Sequence, residues 1–252
     1  MRIYLGDVRD RERLERNFAG CDTVIHAAAL KRVDTGAAES LEEIVKTNIE
    51  GTFNVIWACE KAGVRRLIFI SSDKAVHATN SYGGSKFMSE QLVVQGNAFT
   101  HSQGLRMACT RYGNVLGSRG SVTELWATVP PDAPLPVTSP NMSRFLLTPK
   151  QAVDFILRSL DMMVGGEIFV PLLPSINLLD LAEAIYGPER RIHYIGLRPG
   201  GEKMYEVLLS DEEYSRVMFD PNGDMVVLPS FRSWSKEPWP YMKGYGDWPY
   251  NS

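Results

Sequence analysis

The sequence predicts an α/β fold, a doubly wound parallel sheet with helices on both faces and a second, smaller α/β lobe. Three observations predict it. Short apolar runs alternate with helical patterns as far as residue 112, the order that builds a parallel sheet. After residue 117 Gly and Pro thicken (GSRGS, VPPDAPLP, TSP), marking a looser lobe. The 252 residues, 44% hydrophobic and 23% charged, are ordinary for a globular chain and exclude disordered and collagen-like classes.

The elements follow in order. Residues 2–6 (RIYLG) read as a strand ending at Gly6-Asp7, and 9–20 as a helix with Leu14 and Phe18 four apart. Residues 23–29 (TVIHAAA) read as a second strand. Across 39–62, Leu41, Ile44, Val45, Ile49, Phe53, Ile56 and Cys59 recur at helical steps, and Gly63 ends that long helix. A strand at 65–72, a helix near 82–99 and a strand near 105–112 complete the first part. The second part reads as helices near 149–163, 177–186 and 202–209 with strands near 167–170 and 191–197. Residues 231–250 interleave Phe231, Trp234, Trp239, Tyr241, Tyr245, Trp248 and Tyr250 with Pro and Gly, which excludes a regular helix or central strand and suggests an arm. The expected division is 1–117, 118–230 with strands that can interleave with the first part, and the arm 231–252.

Lys and Arg total 27 against 30 Asp and Glu, a net charge of −3, which argues against a general nucleic-acid binder or a polybasic membrane-surface protein. Cys21, Cys59 and Cys109 sit in apolar stretches without a CxxC and read as buried thiols in a reducing compartment. The four histidines have no metal-ligand spacing, so no metal is expected. No apolar run reaches the roughly 20 residues of a membrane span and no signal segment opens the chain. A cytoplasmic protein is the expectation.

Four strings carry chemistry. Tyr82-Gly-Gly-Ser-Lys86 is a YxxxK whose ends share a helical face. An ammonium beside a phenol brings it nearer neutrality as an acid or base, though many helices hold this spacing by chance. Ser72-Asp73-Lys74 follows a predicted strand end and reads either as a solvated turn or as an acid and a base at a sheet mouth. Arg111–Ser121 (RYGNVLGSRGS) reads either as a plain surface loop or as a Gly-rich loop whose amides and arginines bind phosphate. Arg144 and Arg198, with Arg119, suit a diphosphate pocket. No GxGxxG opens a helix anywhere in the chain.

Together, GDVRD (6–10), HAAALKRV (26–33), KTNIEGTFNVI (46–56), SSDKA (71–75), SYGGSK (81–86), RYGNVLGSRGSV (111–122), MSRFLLT (142–148), GGEIFVP (165–171) and RPGGEK (198–203) resemble the extended short-chain dehydrogenase/reductases. Within that family they are most similar to the inverting UDP-N-acetylglucosamine 4,6-dehydratases of the polysaccharide biosynthesis protein family. The resemblance implies a Rossmann-like sheet, with the smaller lobe binding a UDP-sugar. It implies NADP as cofactor, touched by Asp7 and Val8 on the adenine side, Ala27, Ala28 and Ala29 beneath it, and Asn48, Tyr82 and Lys86. Ser72, Asp73, Lys74, Tyr82 and Lys86 stand at the catalytic positions, and Lys31, Asn114, Arg119, Arg144, Arg198 and Glu202 at UDP-sugar positions.

The implied reaction starts with Tyr82 taking the 4-hydroxyl proton. Lys74, expected to be a neutral amine through desolvation beside a cationic nicotinamide, then removes the C5 proton while Asp73 helps the 6-hydroxyl leave, and C5 is inverted. The family's dimers pack around the long helix and the YxxxK helix, so a homo-oligomer is expected.

The chain departs from the pattern in two places. The family's GxGxxG unit, expected about 60 residues before GDVRD (roughly two βα units), is missing, so the sheet is expected to begin at its third strand with an open edge. RPGGEK has one Gly more than the family's RPGEK, which leaves the register of Glu202 open. Two alternatives stand beside the dehydratase: a non-catalytic UDP-sugar-binding homologue and a UDP-sugar 4-epimerase. An epimerase needs no base at C5, so SDKA argues against it.

Overall fold

A computed structural model describes residues 3–31 and 40–243. Arg32 and Val33, and Tyr245, Trp248 and Tyr250 of the expected arm, lie outside the described residues. In chain order the elements are α1 (Arg11–Phe18), β1 (Thr23–His26), α2 (Leu41–Ile44), α3 (Gly51–Ala62), β2 (Arg66–Ile70), α4 (Ser81–Thr100), β3 (Arg106–Thr110), β4 (Asn114–Val115), α5 (Val122–Ala127), β5 (Leu135–Val137), β6 (Ser143–Leu147), α6 (Pro149–Met162), β7 (Ile168–Val170), β8 (Ser175–Asn177), α7 (Leu178–Tyr186), β9 (Ile192–Tyr194), β10 (Val217–Phe219), β11 (Met225–Val227) and β12 (Met242–Lys243).

Strands buried on both faces read as continuous apolar runs, and β2 and β3 are of that kind. Leu67 and Phe69 of β2 and Met107 and Cys109 of β3 pack with Val55 and Cys59 of α3 and Val93 of α4. Ile68 and Ala108, one residue out of phase, pack with Phe155 and Leu160 of α6 and with Tyr241. The main sheet runs β1-β2-β3-β7-β11-β10-β12. Its first four strands are parallel, with Leu67 opposite Met107 and Cys109 opposite Ile168. The β10–β11 hairpin joins β7 antiparallel. Strands β4, β6 and β8 and the β5–β9 pair form the smaller lobe around buried Trp126, Leu135, Val137, Met142 and Leu181.

Four expectations are corrected. Ile3 and Leu5 are exposed and form no strand, because no described strand lies beside them to pair with. The long helix is interrupted by a π turn, Val45–Glu50, between α2 and α3. Residues 202–209 form no helix. Their carbonyls are committed elsewhere: Lys203 O and Met204 O accept from Arg144, and Leu208 O accepts from Arg111. Cys21 is exposed at the turn after α1, whereas Cys59 and Cys109 are buried. The arm is packed where described, with the Tyr241 hydroxyl 2.9 Å from Glu167 Oε1 and Trp234 Nε1 donating to Gly165 O. No described helix is long and apolar enough to cross a membrane.

Candidate active site

The turn after β2 stays laced to the residues after β3. Ser71 N donates to Thr110 O at 2.7 Å and Asp73 N to Tyr112 O at 3.1 Å. Ser72, in extended conformation, caps the one-turn 3-10 helix Asp73–Ala75; its Oγ accepts from Lys74 N and donates to Asp73 Oδ1 at 2.7 Å. Helix α4 starts under an Asn80 cap, whose side chain accepts from Gly83 N. A Cβ at Gly83 would lie 2.3 Å from the Lys74 carbonyl oxygen, so α4 approaches the Asp73–Lys74 turn as closely as only glycine permits. This contact brings Tyr82 beside Ser72, Asp73 and Lys74.

Asp73 is 1% exposed, and its carboxylate lies 3.0 and 3.2 Å from Lys74 Nζ. Burial is the largest influence on Lys74 and pulls its pKa down, but Asp73 and Glu206 together outweigh it and the net shift is upward. The two carboxylates thus favour the charged form of Lys74. Burial likewise pushes Tyr82 up, against the opposing pull of Lys74 and a hydrogen bond with Ser72. The expected movement of the phenol toward neutrality is not seen, because Lys86 serves another partner. Its Nζ donates to Ile70 O and sits 4.2 Å over the Phe69 ring. Burial brings Lys86 down to about 8.

On the expected cofactor side, Ala27 and Ala28 are exposed just past the carboxyl end of β1. Asp7 is also exposed, with its carboxylate held by Arg9 at 2.7 Å and its pKa lowered by that contact. Val8 packs against Gly51. Asn48 stands as a support of the site. It lies in the π turn, its Oδ1 accepts from Leu30 N, and its Nδ2 donates to Leu30 O and Ser85 Oγ. Its amide thus ties the turn after β1 to the residue preceding Lys86.

A cavity of about 260 Å³ opens beside Lys74. It brings together Lys31, Asn114, Arg144, Arg198 and Glu202 of the expected substrate residues. Five Lys or Arg side chains line it (Lys31, Lys74, Arg144, Arg198, Lys203) against Glu202 and Glu206, a surplus that suits a diphosphate. Asn114 Oδ1 is buried there without a hydrogen-bond partner among the described residues. Arg144 donates to Ser143 O, Lys203 O and Met204 O. Arg198 pairs with Glu202 through its Nε at 3.0 Å. Arg119 is exposed on the 117–120 turn and does not line the cavity. In the Gly-rich loop, two amides are occupied: Gly117 N donates to Thr123 Oγ1 and Gly120 N to Glu124 Oε2.

The sequence reading missed Thr79, Asn80, Lys203 and Glu206, all of which line the cavity. Thr79 Oγ1 donates to Gly201 O and Asn80 Nδ2 to Gly200 O, strapping residues 198–206 onto the start of α4. Lys203 and Glu206, three apart, were the available signal. Among the described residues no cluster of metal-ligating side chains exists.

The parallel sheet with an acid, an amine and a phenol at its mouth defines an enzyme fold of the short-chain dehydrogenase/reductase type. The model of the polysaccharide biosynthesis protein family matches residues 1–223, and the chain belongs to that family. It is 39% identical to a UDP-N-acetylglucosamine 4,6-dehydratase (inverting) of Campylobacter jejuni, over 94% of this chain and 70% of that one. It is 40% identical to a UDP-glucose 4-epimerase of Rickettsia felis, over 91% of this chain and 67% of that one. Among solved structures, Pen from Bacillus thuringiensis superposes with a TM-score of 0.87 at 34% identity, covering 100% of this chain and 77% of that one. A dTDP-glucose 4,6-dehydratase from Streptomyces venezuelae, solved with NAD, shares the fold with a TM-score of 0.63 at 21% identity, covering 77% and 67%.

Proposed function

We propose that the chain carries the acid–base and sugar-nucleotide-binding residues of an NADP-dependent UDP-N-acetylglucosamine 4,6-dehydratase that inverts C5, serving polysaccharide or glycan synthesis. The observation that carries this reading is the buried Asp73–Lys74 pair, 3.0 Å apart beside Tyr82 and next to a cationic cavity.

The donor set fits the ribose and nicotinamide end of a dinucleotide. Tyr82 and Lys86 would hold it there, over Ala27–Ala29, with Asp7 and Val8 toward the adenine. When bound, that group supplies a hydride acceptor and donor. Lys31, Asn114, Arg144 and Arg198 face the UDP-sugar, and Glu202 orients Arg198. Tyr82 takes the proton of the sugar 4-hydroxyl, with Ser72 steadying the phenol oxygen. A carbonyl at C4 makes the C5 hydrogen acidic. One proton passing from Lys74 Nζ to Asp73 Oδ1 turns the resting ion pair into an amine and a carboxylic acid. The amine removes the C5 proton and the acid protonates the departing 6-hydroxyl, which restores the ion pair. A proton arriving on the other face of C5, with the hydride lost from C4 regained at C6, would give the inverted 6-deoxy-4-keto sugar, so the net change is loss of one water.

A 4-epimerase gives the Asp73–Lys74 pair no task. Incubating the chain with UDP-N-acetylglucosamine and NADP+ and weighing the product by mass spectrometry separates the two. The expected product is lighter by one water; an isomer of equal mass, or unchanged substrate, overturns the proposal. Phe53 of α3 and Phe87, Met88 and Phe99 of α4 are exposed, which supports a homo-oligomer built on these helices, testable by analytical ultracentrifugation.

A further inference from the structure

Glu206 has no part in the chemistry above. It is 3% exposed and lines the cavity. Its Oε1 lies 3.5 Å from Lys74 Nζ and its Oε2 3.6 Å from Lys203 Nζ. Lys203 is itself anchored, donating to Val76 O at 2.8 Å, so the carboxylate is fixed from two sides. The charged and titratable groups that face Lys74 are Asp73 on its own turn, Glu206 on the strap, Arg144 on β6, Lys31 after β1 and Tyr82 on α4. Two carboxylates thus oppose two cations and burial. With Asp73 alone, the pair would face those three opposing influences without the second carboxylate.

We propose that Glu206 is a positioning residue for Lys74: its carboxylate keeps the ammonium at the cavity wall and keeps the proton on it in the resting site. This rests on reading Asp73–Lys74 as the acid–base pair. Glu206 then sets the state from which the proton passes to Asp73.

Acetic anhydride acylates only neutral amines, so peptide mass spectrometry of acylation against pH reads the protonation of Lys74 directly, without turnover. Glu206→Gln is expected to move the Lys74 midpoint down by about one pH unit, the effect of losing one close opposite charge, while exposed Lys150 stays put. Glu206→Asp, which keeps the charge one methylene further back, falls between the two and carries the test alone should the amide variant not fold. An unmoved Lys74 midpoint in a folded variant overturns the proposal, whatever the activity. A moved midpoint in a chain that dehydrates no sugar nucleotide upholds Glu206's hold on Lys74 and overturns the functional reading instead.

Discussion

Arg111 is the residue whose removal the structure prices most clearly. It is 2% exposed, and its guanidinium grips two carboxylates as forks: Nε and Nη2 to Glu90 at 2.9 and 2.7 Å, Nη1 and Nη2 to Glu213 at 2.7 and 2.9 Å. Nη1 also donates to Leu208 O at 2.9 Å. The two glutamates hold its pKa up against burial, the largest opposing influence. Glu90 is fully buried and lies one turn beyond Lys86, and Leu208 and Glu213 follow the strap. The cluster therefore joins the catalytic helix to the segment that lines the cavity. Arg111→Met keeps the volume but strips the buried Glu90 carboxylate of its two-pronged partner. Breaking a buried pair from one side costs about 3–5 kcal/mol, a large share of the roughly 5–15 kcal/mol that holds a domain folded. Urea denaturation should show the midpoint fall at unchanged slope. The double variant Glu90→Gln with Arg111→Met should recover about 1–2 kcal/mol, since the stranded charge is gone. A loss below about 1 kcal/mol, or no recovery in the double variant, would refute the reasoning.

Three further outcomes follow from single contacts. Gly83→Ala drives a Cβ into the Lys74 carbonyl at 2.3 Å; since backbone cannot swing aside like a flexible side chain, both the thermal midpoint and dehydratase turnover should drop, and a variant with unchanged turnover would show that the helix does not set the turn. Lys86 is lowered by burial to about 8. Its desolvated ammonium is a cost to folding below that pH, relieved as pH rises from about 8 toward the ordinary lysine value. Lys86→Met should therefore be more stable than the parent by on the order of 1–3 kcal/mol near neutrality, with the gap closing above pH 8 in pH-resolved urea titrations. His26, buried against Thr52 and lowered by burial to about 3, stays neutral in the folded chain while the unfolded chain takes a proton. Stability should fall as pH drops from about 6.5 toward 3, by up to about 4 kcal/mol from this group, and His26→Gln should flatten that slope.

Much of the fold was legible because local and tertiary preferences agree. The apolar steps from Ile44 to Cys59 give helix, Gly63 ends it at φ 72°, and the runs at 66–70 and 106–110 give the central strands. Asp73, Lys74, Tyr82 and Lys86 were also legible, since their order along the chain is enough to place them on one turn and one helix start. What was not legible depends on distant partners. Residues 202–209 have helical composition, yet Arg144 and Arg111 claim their carbonyls across 59, 60 and 97 positions of sequence. Arg119 reads from its motif as a cavity residue, yet the fold leaves it exposed outside the cavity lining. Desolvation favours a neutral Lys74, and Asp73 together with Glu206, the latter unseen from the motif, opposes it. The hairpin at 217–227 went unread because its two three-residue strands are too short for a period to register.

The central claim is that Asp73 and Lys74 move the C5 proton. The most direct measurement is proton NMR of the product formed from UDP-N-acetylglucosamine and NADP+ in deuterium oxide, by the parent and by Lys74→Met. The account predicts a C5-inverted 4-keto product from the parent with deuterium at C5, and no exchange and no product from the variant. A product that keeps its original hydrogen at C5, or a variant that dehydrates as well as the parent, would contradict it.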